Sequence, residues 1–408
     1  MKITYRYDNI NNNRMRKINS RIILDMIRRY EPISRKQLAK ATGLTAATVT
    51  NIVNNLIQDR FLIEHGTGEA AASSGRRPIM LGLNADIRYI IGLELTVNEI
   101  RCVLANFKGS IKRKFFCNID VRKGPEETVM TICDLILQMI KKEHLNKEDI
   151  LGIGLVSAGP LDQKEGIMIN PPNFPGWHEI PIKEMVENGT GIRVVFDKEV
   201  NGMAIGEQMF GNMSERNNFL YYIVNDIGVG AGVILDGEIY HGYQDGAGNI
   251  GHTVLLPGGP QCSCGRHGCV EALTSGIAIV REVRNAVQNG EYSKAGSNPA
   301  LIDLQSVSEA YHRGDAVCVR EVERAAEYTG IVLVNLMNDY SPEAIVLAGN
   351  LLDYMPDFYE KTCEYVRKEI GVFLINEARI FRASFTKFGA AIGGVGLVLN
   401  QFTEEMSE

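Results

Sequence analysis

Apolar residues recur at helical spacing three times before residue 60. Ile18, Ile22, Ile23, Met26 and Ile27 make the first stripe. In ISRKQLAKATGL, Ser34 with Gln37 three residues on predicts a capping box and Gly43 a left-handed helix end, so a second helix is expected from about 35 to 42. Thr45 can cap a third helix, whose apolar positions Val49, Ile52, Val53, Leu56 and Ile57 fall at i, i+3, i+4, i+7 and i+8. Its opposite face is small and polar: Ala47, Thr48, Asn51, Asn54, Asn55 and Gln58. FLIEHG and RPIMLGLN then read as two short strands joined by a Gly/Ala/Ser loop ending in SSGRRP, with Arg76 and Arg77 at a hairpin tip.

From Tyr89 the pattern becomes β-rich: YIIGLEL, IRCVLANFKG and KRKFFCNI, then a helix around 126–143, then ILGIGLVSAGPLD. A similar plan recurs at FLYYIVNDIGVGAGVILDGEI, whose second strand ends at Asp236-Gly237 as the earlier one ends at Lys108-Gly109. Two related α/β halves are expected, each led by a hairpin, with mixed sheets flanked by helices and a ligand cleft between them.

Composition adds class and compartment. Hydrophobic residues are 45% and charged residues 23% of the 408, ordinary for a folded chain too long for a single core. No apolar run spans a bilayer and MKITYRYDNINNNRMRK lacks the apolar segment of a secretion signal, so a cytoplasmic location is expected. Cys102, Cys117, Cys133, Cys318 and Cys363 are scattered and read as small core residues, not as a disulfide framework.

Charge is unevenly placed. Residues 1–88 hold 15 Lys+Arg against 7 Asp+Glu, a net +8, which leaves 28 against 42, or −14, for the rest. A basic module on an acidic body suits a polyanion partner. With three helices, a polar third-helix face and an arginine-tipped hairpin, the head reads as a winged helix-turn-helix for double-stranded DNA. Its candidate contacts are Arg35, Thr45, Ala47, Thr48, Asn51, Arg76 and Arg77.

The most specific motif is CSCGRHGCVE. Cys262, Cys264 and Cys269, with His252 ten residues earlier, make a Cys3His set suited to tetrahedral Zn2+ with no open position, hence a structural cofactor. A disulfide between Cys-x-Cys thiols would close a strained ring.

The wing GRRPIMLGLN, the run DGAGNIGHTVLLPGGPQCSCGRHGCVEALTSG and the segment AIVLAGN together resemble the ROK family, which groups bacterial repressors and sugar kinases on an actin-like, ribonuclease H-type fold. The resemblance covers nearly the whole chain, and the head sets it with the repressors of the xylose- and N-acetylglucosamine-repressor type. It implies an α+β multi-domain chain: a winged helix-turn-helix over residues 1–85, then a two-lobed α/β body of the ROK sugar-kinase fold. The first lobe is expected over 86–200, and the second, with the zinc loop and a dimer surface, over 201–385. A C-terminal helix at 386–408 is expected to pack back on the first lobe, and the joint between head and body lies at residues 84–88. The partner DNA is expected to be a palindromic operator read by a homodimer or homotetramer.

Family kinases carry an Asp followed by a Gly-Gly-Thr-Lys phosphate loop; here IGLELTVNEI puts Glu94, Thr96, Val97 and Glu99 at those places. In the second phosphate turn, DIGVGAG keeps Gly228, Gly230 and Gly232 but has Asp226 and Ile227 at its start. Glu199 stands at the catalytic Asp position and Lys198 at the amide before it. These departures argue against an enzyme and for a sugar-responsive repressor. The alternatives are a sugar kinase with a regulatory head and a regulator sequestered by a transporter protein. Carried over residue by residue, the effector contacts are Asn173, Lys198, Glu199, Asn249, His252 and Glu271, with His252 also a metal ligand. Lys198 for Asn and Asn249 for Glu add positive charge, which favours an acidic carbohydrate, unless Lys198 pairs with Glu199 or Asp197 or reaches solvent.

Overall fold

The computed structural model describes residues 12–67, 77–370 and 379–405. The chain forms two compact units: Met1–Val156 with Ile180–Phe196 and Gly394–Glu408, and Ser157–Glu179 with Asp197–Gly393. Linear boundaries drawn from the sequence do not contain this double crossing, in which 157–179 leave the first unit and 180–196 return to it.

The first unit opens with the head. Helix α1 (Asn12–Tyr30) buries Ile23, Leu24 and Ile27, whereas Ile22, expected in the core stripe, is 40% exposed. The reason is angular: Ile22 lies roughly 100° from Ile23 on the side away from Leu24. Strand β1 (Ile33–Ser34) leads into α2 (Arg35–Thr42) through the expected capping box. The Gln37 N–H donates to Ser34 Oγ at 3.3 Å, and the Ser34 N–H donates to Gln37 Oε1 at 2.9 Å. Gly43, at φ 71°, ends α2 by donating to Ala39 O. Helix α3 (Ala46–Gln58) starts at Thr45, whose hydroxyl accepts the Thr48 N–H, and buries Val49, Ile52, Val53 and Leu56. The wing strands β2 (Leu62–Thr67) and β3 (Ile79–Leu83) pair antiparallel, with β1 on the far edge of β3. Two residues are too few to show a period, which is why β1 left no mark in the pattern.

In the body of this unit, β4 (Tyr89–Leu95), β5 (Glu99–Asn106) and β6 (Ile111–Asn118) form an antiparallel meander. Helix α4 (Pro125–Lys142) buries Val129, Ile132, Ile136, Met139 and Ile140 at helical spacing. Its Pro at N1, acids in the first turn and lysines in the last all suit the helix dipole. Strand β7 (Ile150–Ser157) follows. After β8 (Leu161–Asp162) and β9 (Ile167–Met168) in the other unit come α5 (Ile182–Thr190) and β10 (Val194–Lys198). The sheet order is β10-β7-β4-β5-β6.

The second unit repeats the plan. Helix α6 (Glu199–Phe210) precedes β11 (Phe219–Val224), β12 (Val229–Leu235) and β13 (Glu238–Ile239). Then come α7 (Glu271–Thr274), α8 (Gly276–Gln288), α9 (Leu304–His312), α10 (Ala316–Tyr340), β14 (Ala344–Ala348), α11 (Leu351–Tyr354), α12 (Asp357–Glu369) and β15 (Ile380–Arg382). The order β13-β12-β11-β14-β15 again puts the leading strand in the middle. Tyr222, Val283, Leu333, Ile345, Leu347 and Phe358 are fully buried between this sheet and its helices.

Helix α13 (Gly389–Glu405) ends in the first unit, where Phe402 meets Phe61 and Phe107 at centroid distances of 5.2 and 5.6 Å. Residues at the expected joint are bonded on both sides. The Asn84 N–H donates to Phe61 O, the Phe107 N–H donates to Ala85 O, and Lys108 Nζ meets Glu31 Oε1 at 2.6 Å. No helix among the described residues is long and apolar enough to cross a membrane.

Candidate functional site

Ala47, Asn51, Asn54 and Gln58 are exposed and fall at i, i+4, i+7 and i+11, a single stripe along α3. Thr45 is exposed beside it, and Thr48 is half-buried with its hydroxyl 2.8 Å from that of Thr45. Arg35, at the start of α2, is held within the head: its guanidinium lies 3.2 Å from Glu64 Oε1 on β2 and donates to Asn54 Oδ1 at 3.3 Å. Because arginine has no acceptor, the Asn54 oxygen must face it and the amide N–H2 faces away. Arg77 is exposed two residues before the return strand β3; Arg76 and the wing tip lie outside the described residues.

The cysteine motif folds back on His252. One ligand atom from each of His252, Cys262, Cys264 and Cys269 lies within 4.8 Å of the others, a cluster that could hold a metal ion. Cys264 Sγ to Cys269 Sγ is 3.7 Å and Cys262 Sγ to His252 Nδ1 is 3.6 Å. A tetrahedron with metal–sulfur bonds of about 2.3 Å has edges of about 3.8 Å, so the donor set fits a tetrahedral cation. Burial and its thiol neighbours push Cys269 up to about 12, while Cys264, despite burial pushing it up, is brought down to about 6 by the Arg266 backbone and guanidinium. Ser263 Oγ donates to Glu271 Oε1 at 2.7 Å, and Glu271 Oε1 lies 3.6 Å from Cys262 Sγ. His252 and Glu271 are therefore brought to one place, with Nδ1 turned to the thiols.

The loop before His252 is built under strain. Gly242, Gln244, Asp245 and Gly248 all have positive φ, and the two non-glycine residues each carry a penalty of about 1–2 kcal/mol. A Cβ on Gly248 would lie 1.9 Å from Ala231 O, so only glycine lets this loop settle on β12. Lys198, 8% exposed, gives its ammonium to the carbonyls of Asp245 and Ala247. Its hydrogen bonds thus go to main-chain carbonyls of the loop, and the side chain is buried from solvent. Its pKa is lowered, burial outweighing the pull of Asp197 and Asp245. Asp197, 1% exposed, accepts the Lys198 N–H and Asn201 Nδ2, and its Oδ2 meets His241 Nε2 at 2.8 Å. Of the other expected effector residues, Glu199 is half-buried at the start of α6, Asn249 is exposed at the end of the loop, and Asn173 is exposed with φ 69° on the 157–179 segment. Sequence reasoning named Asp197 only as a partner for Lys198 and missed His241 and Asp245, because contacts between residues 44 and 47 positions apart leave no local pattern.

At the two segments expected to correspond to the kinase phosphate turns, the chain's own carboxylates are bonded locally. In the first unit, Arg101 bonds Glu94 Oε2 at 3.1 Å and Glu99 Oε2 at 2.6 Å, all three charges at least half-buried. In the second unit, Asp226 Oδ1 accepts the Ile227 N–H at 3.0 Å and Asn350 Nδ2 at 3.1 Å, so a carboxylate takes a turn amide that a phosphate would need.

The ROK family model matches residues 90–401, and a winged helix-turn-helix DNA-binding model matches residues 16–62. A xylose repressor from Caldicellulosiruptor bescii is 29% identical over 96% of this chain and 97% of its own. A glucokinase from Halalkalibacterium halodurans is 29% identical over 65% of this chain and 81% of its own. A solved ROK family transcriptional regulator, a homologue of the E. coli MLC protein, superposes with TM-score 0.81 at 22% identity over 97% of this chain and 98% of its own.

Proposed function

Since the chain belongs to the ROK family, we propose that it is a DNA-binding transcriptional repressor of carbohydrate-utilisation genes, controlled by a sugar or sugar derivative. The observation that carries the reading is the exposed Ala47–Asn51–Asn54–Gln58 stripe on a capped third helix beside a wing. That stripe enters the major groove, with Thr45, Thr48 and Arg35 on the flanking backbone and the wing arginines Arg76 and Arg77 on adjacent phosphates. Two heads of a homodimer or homotetramer read a palindromic operator in the cytoplasm.

In the second unit, His252 Nδ1 and the three thiolates hold a structural Zn2+, which supplies the positive charge the thiolates need. The effector is held by Asn173, Glu199, Asn249, His252 and Glu271. His252 Nε2 is the imidazole atom left to meet a sugar hydroxyl, with Nδ1 on the metal side. The chain is no kinase: the Glu94–Arg101–Glu99 cluster and the Asp226 carboxylate fill the phosphate turns with negative charge. Control requires the effector to bind the DNA-competent and DNA-released states with different affinity. The test is to select genomic fragments with the purified protein and then screen neutral and acidic sugars for release, with a coupled ATPase assay alongside. Recovery of no enriched sequence, or sugar-dependent ATP turnover, contradicts the proposal.

A further inference from the structure

The segment from His241 to His252 carries two assigned effector residues, Asn249 and His252, yet four of its first eight residues are left-handed. Backbone of that kind persists only where its surroundings hold it. Here the holding is done by one strand end. Asp197 takes the His241 ring at 2.8 Å, and the Lys198 ammonium takes the Asp245 and Ala247 carbonyls. A third anchor is the Asp245 carboxylate, whose Oδ2 accepts the Gln163 N–H at 2.9 Å. The Ala247 N–H donates to His241 O at 2.9 Å and closes the loop on itself. Beyond it the chain is pinned by the close approach of Gly248 to β12.

We propose that Asp197, Lys198 and His241 are positioning residues that clasp the effector loop, and that Lys198 serves the loop's carbonyls instead of a charge on the effector. This rests on the effector reading above and deepens it. Two of the three Lys198 donors are already taken, and its charge faces Asp197 and Asp245, so the group is balanced without an anionic ligand. The clasp is also proton-dependent. The hydrogen bond that the His241 ring donates to Asp197 raises the His241 pKa; burial and Lys198 oppose it, and Asp245 adds to it. A raised histidine pKa means that the protonated clasp is favoured at low pH and weakens as pH rises through the folded value.

The experiment uses the full-length protein and its selected operator, with His241→Ala, His241→Gln and Lys198→Met. Operator release is titrated with D-xylose, D-glucose, N-acetyl-D-glucosamine and glucose 6-phosphate across the histidine pH range, and amide exchange is followed in peptides covering 240–252. The wild type should need more sugar as pH rises. His241→Gln, which keeps a donor but cannot titrate, should be flat with pH. His241→Ala should need about tenfold more sugar, the loss of one charge-assisted hydrogen bond, with sugar-free DNA affinity unchanged. Exchange in 240–249 should rise in His241→Ala and Lys198→Met. Unchanged exchange in both, a His241→Gln profile that still follows pH, or release by glucose 6-phosphate alone that Lys198→Met abolishes without loosening the loop, overturns the clasp. A wild type released by none of the four sugars overturns the effector reading instead, and the exchange data still decide the clasp.

Discussion

Glu64→Gln should make the protein bind DNA more tightly. In the free head, the Arg35 guanidinium sits 3.2 Å from the Glu64 carboxylate, with side chains 25% and 43% exposed. Two unit charges at that separation in water interact by about 1.3 kcal/mol, and measured exposed pairs retain only about 0.2–1 kcal/mol. A phosphate competing for Arg35 has to displace that carboxylate, and Glu64 also repels the strand. Removing the charge should therefore raise affinity about 1.5- to 5-fold at moderate salt. It should also steepen the slope of log affinity against log salt by about one unit, as one more phosphate contact does. Fluorescence anisotropy with labelled operator over a salt series reads both quantities, with Arg35→Ala as the control that weakens binding. If Glu64→Gln binds more weakly, or shows the wild-type salt slope, Arg35 is a strut for Asn54 and not a phosphate contact.

Three other expectations are direct. On the zinc reading proposed above, elemental analysis should find one zinc per chain in the wild type and none in Cys269→Ala, and amide exchange over residues 252–271 should rise, because the described cluster has only Cys262, Cys269 and Ala272 as its own core. Arg101→Met leaves Glu94 and Glu99 buried without their shared cation and should destabilise the first unit by about 3 kcal/mol, read as a lowered unfolding midpoint. Gly248→Ala places a methyl 1.9 Å from Ala231 O at φ 80° and should abolish sugar-dependent release while leaving sugar-free operator binding intact.

What the sequence made legible was local. The Ser34–Gln37 box, the Gly43 stop, the α3 stripe and the amphipathic α4 are each set by neighbours within a few residues, and the structure has them where periodicity puts them. The His/Cys cluster was legible for the same reason, since three of its four residues fall within eight positions. Ile22 misled because a stripe of five apolar residues is wider than the face α1 buries. The rest depended on long-range pairing. Lys198 was weighed as a counter-ion to an acidic effector, as a partner of Glu199 or Asp197, or as reaching solvent, whereas its hydrogen bonds go to main-chain carbonyls 47 and 49 residues away, atoms that every residue type carries. The Glu94–Arg101–Glu99 cluster was half-visible: the sequence placed Glu94 and Glu99 where family kinases carry their phosphate loop, but not the arginine that joins the two acids. Likewise, the return of residues 180–196 to the first unit follows from sheet order, which no single segment encodes.

The most direct test is to compare wild type and Asn51→Ala on the DNA fragments that the wild-type protein enriches from its own genome. The account predicts a palindromic sequence bound at least about a thousandfold more tightly than random duplex, and a loss of about 1–3 kcal/mol in Asn51→Ala confined to that sequence. Enrichment of no sequence, or equal binding of the two proteins to it, contradicts the account.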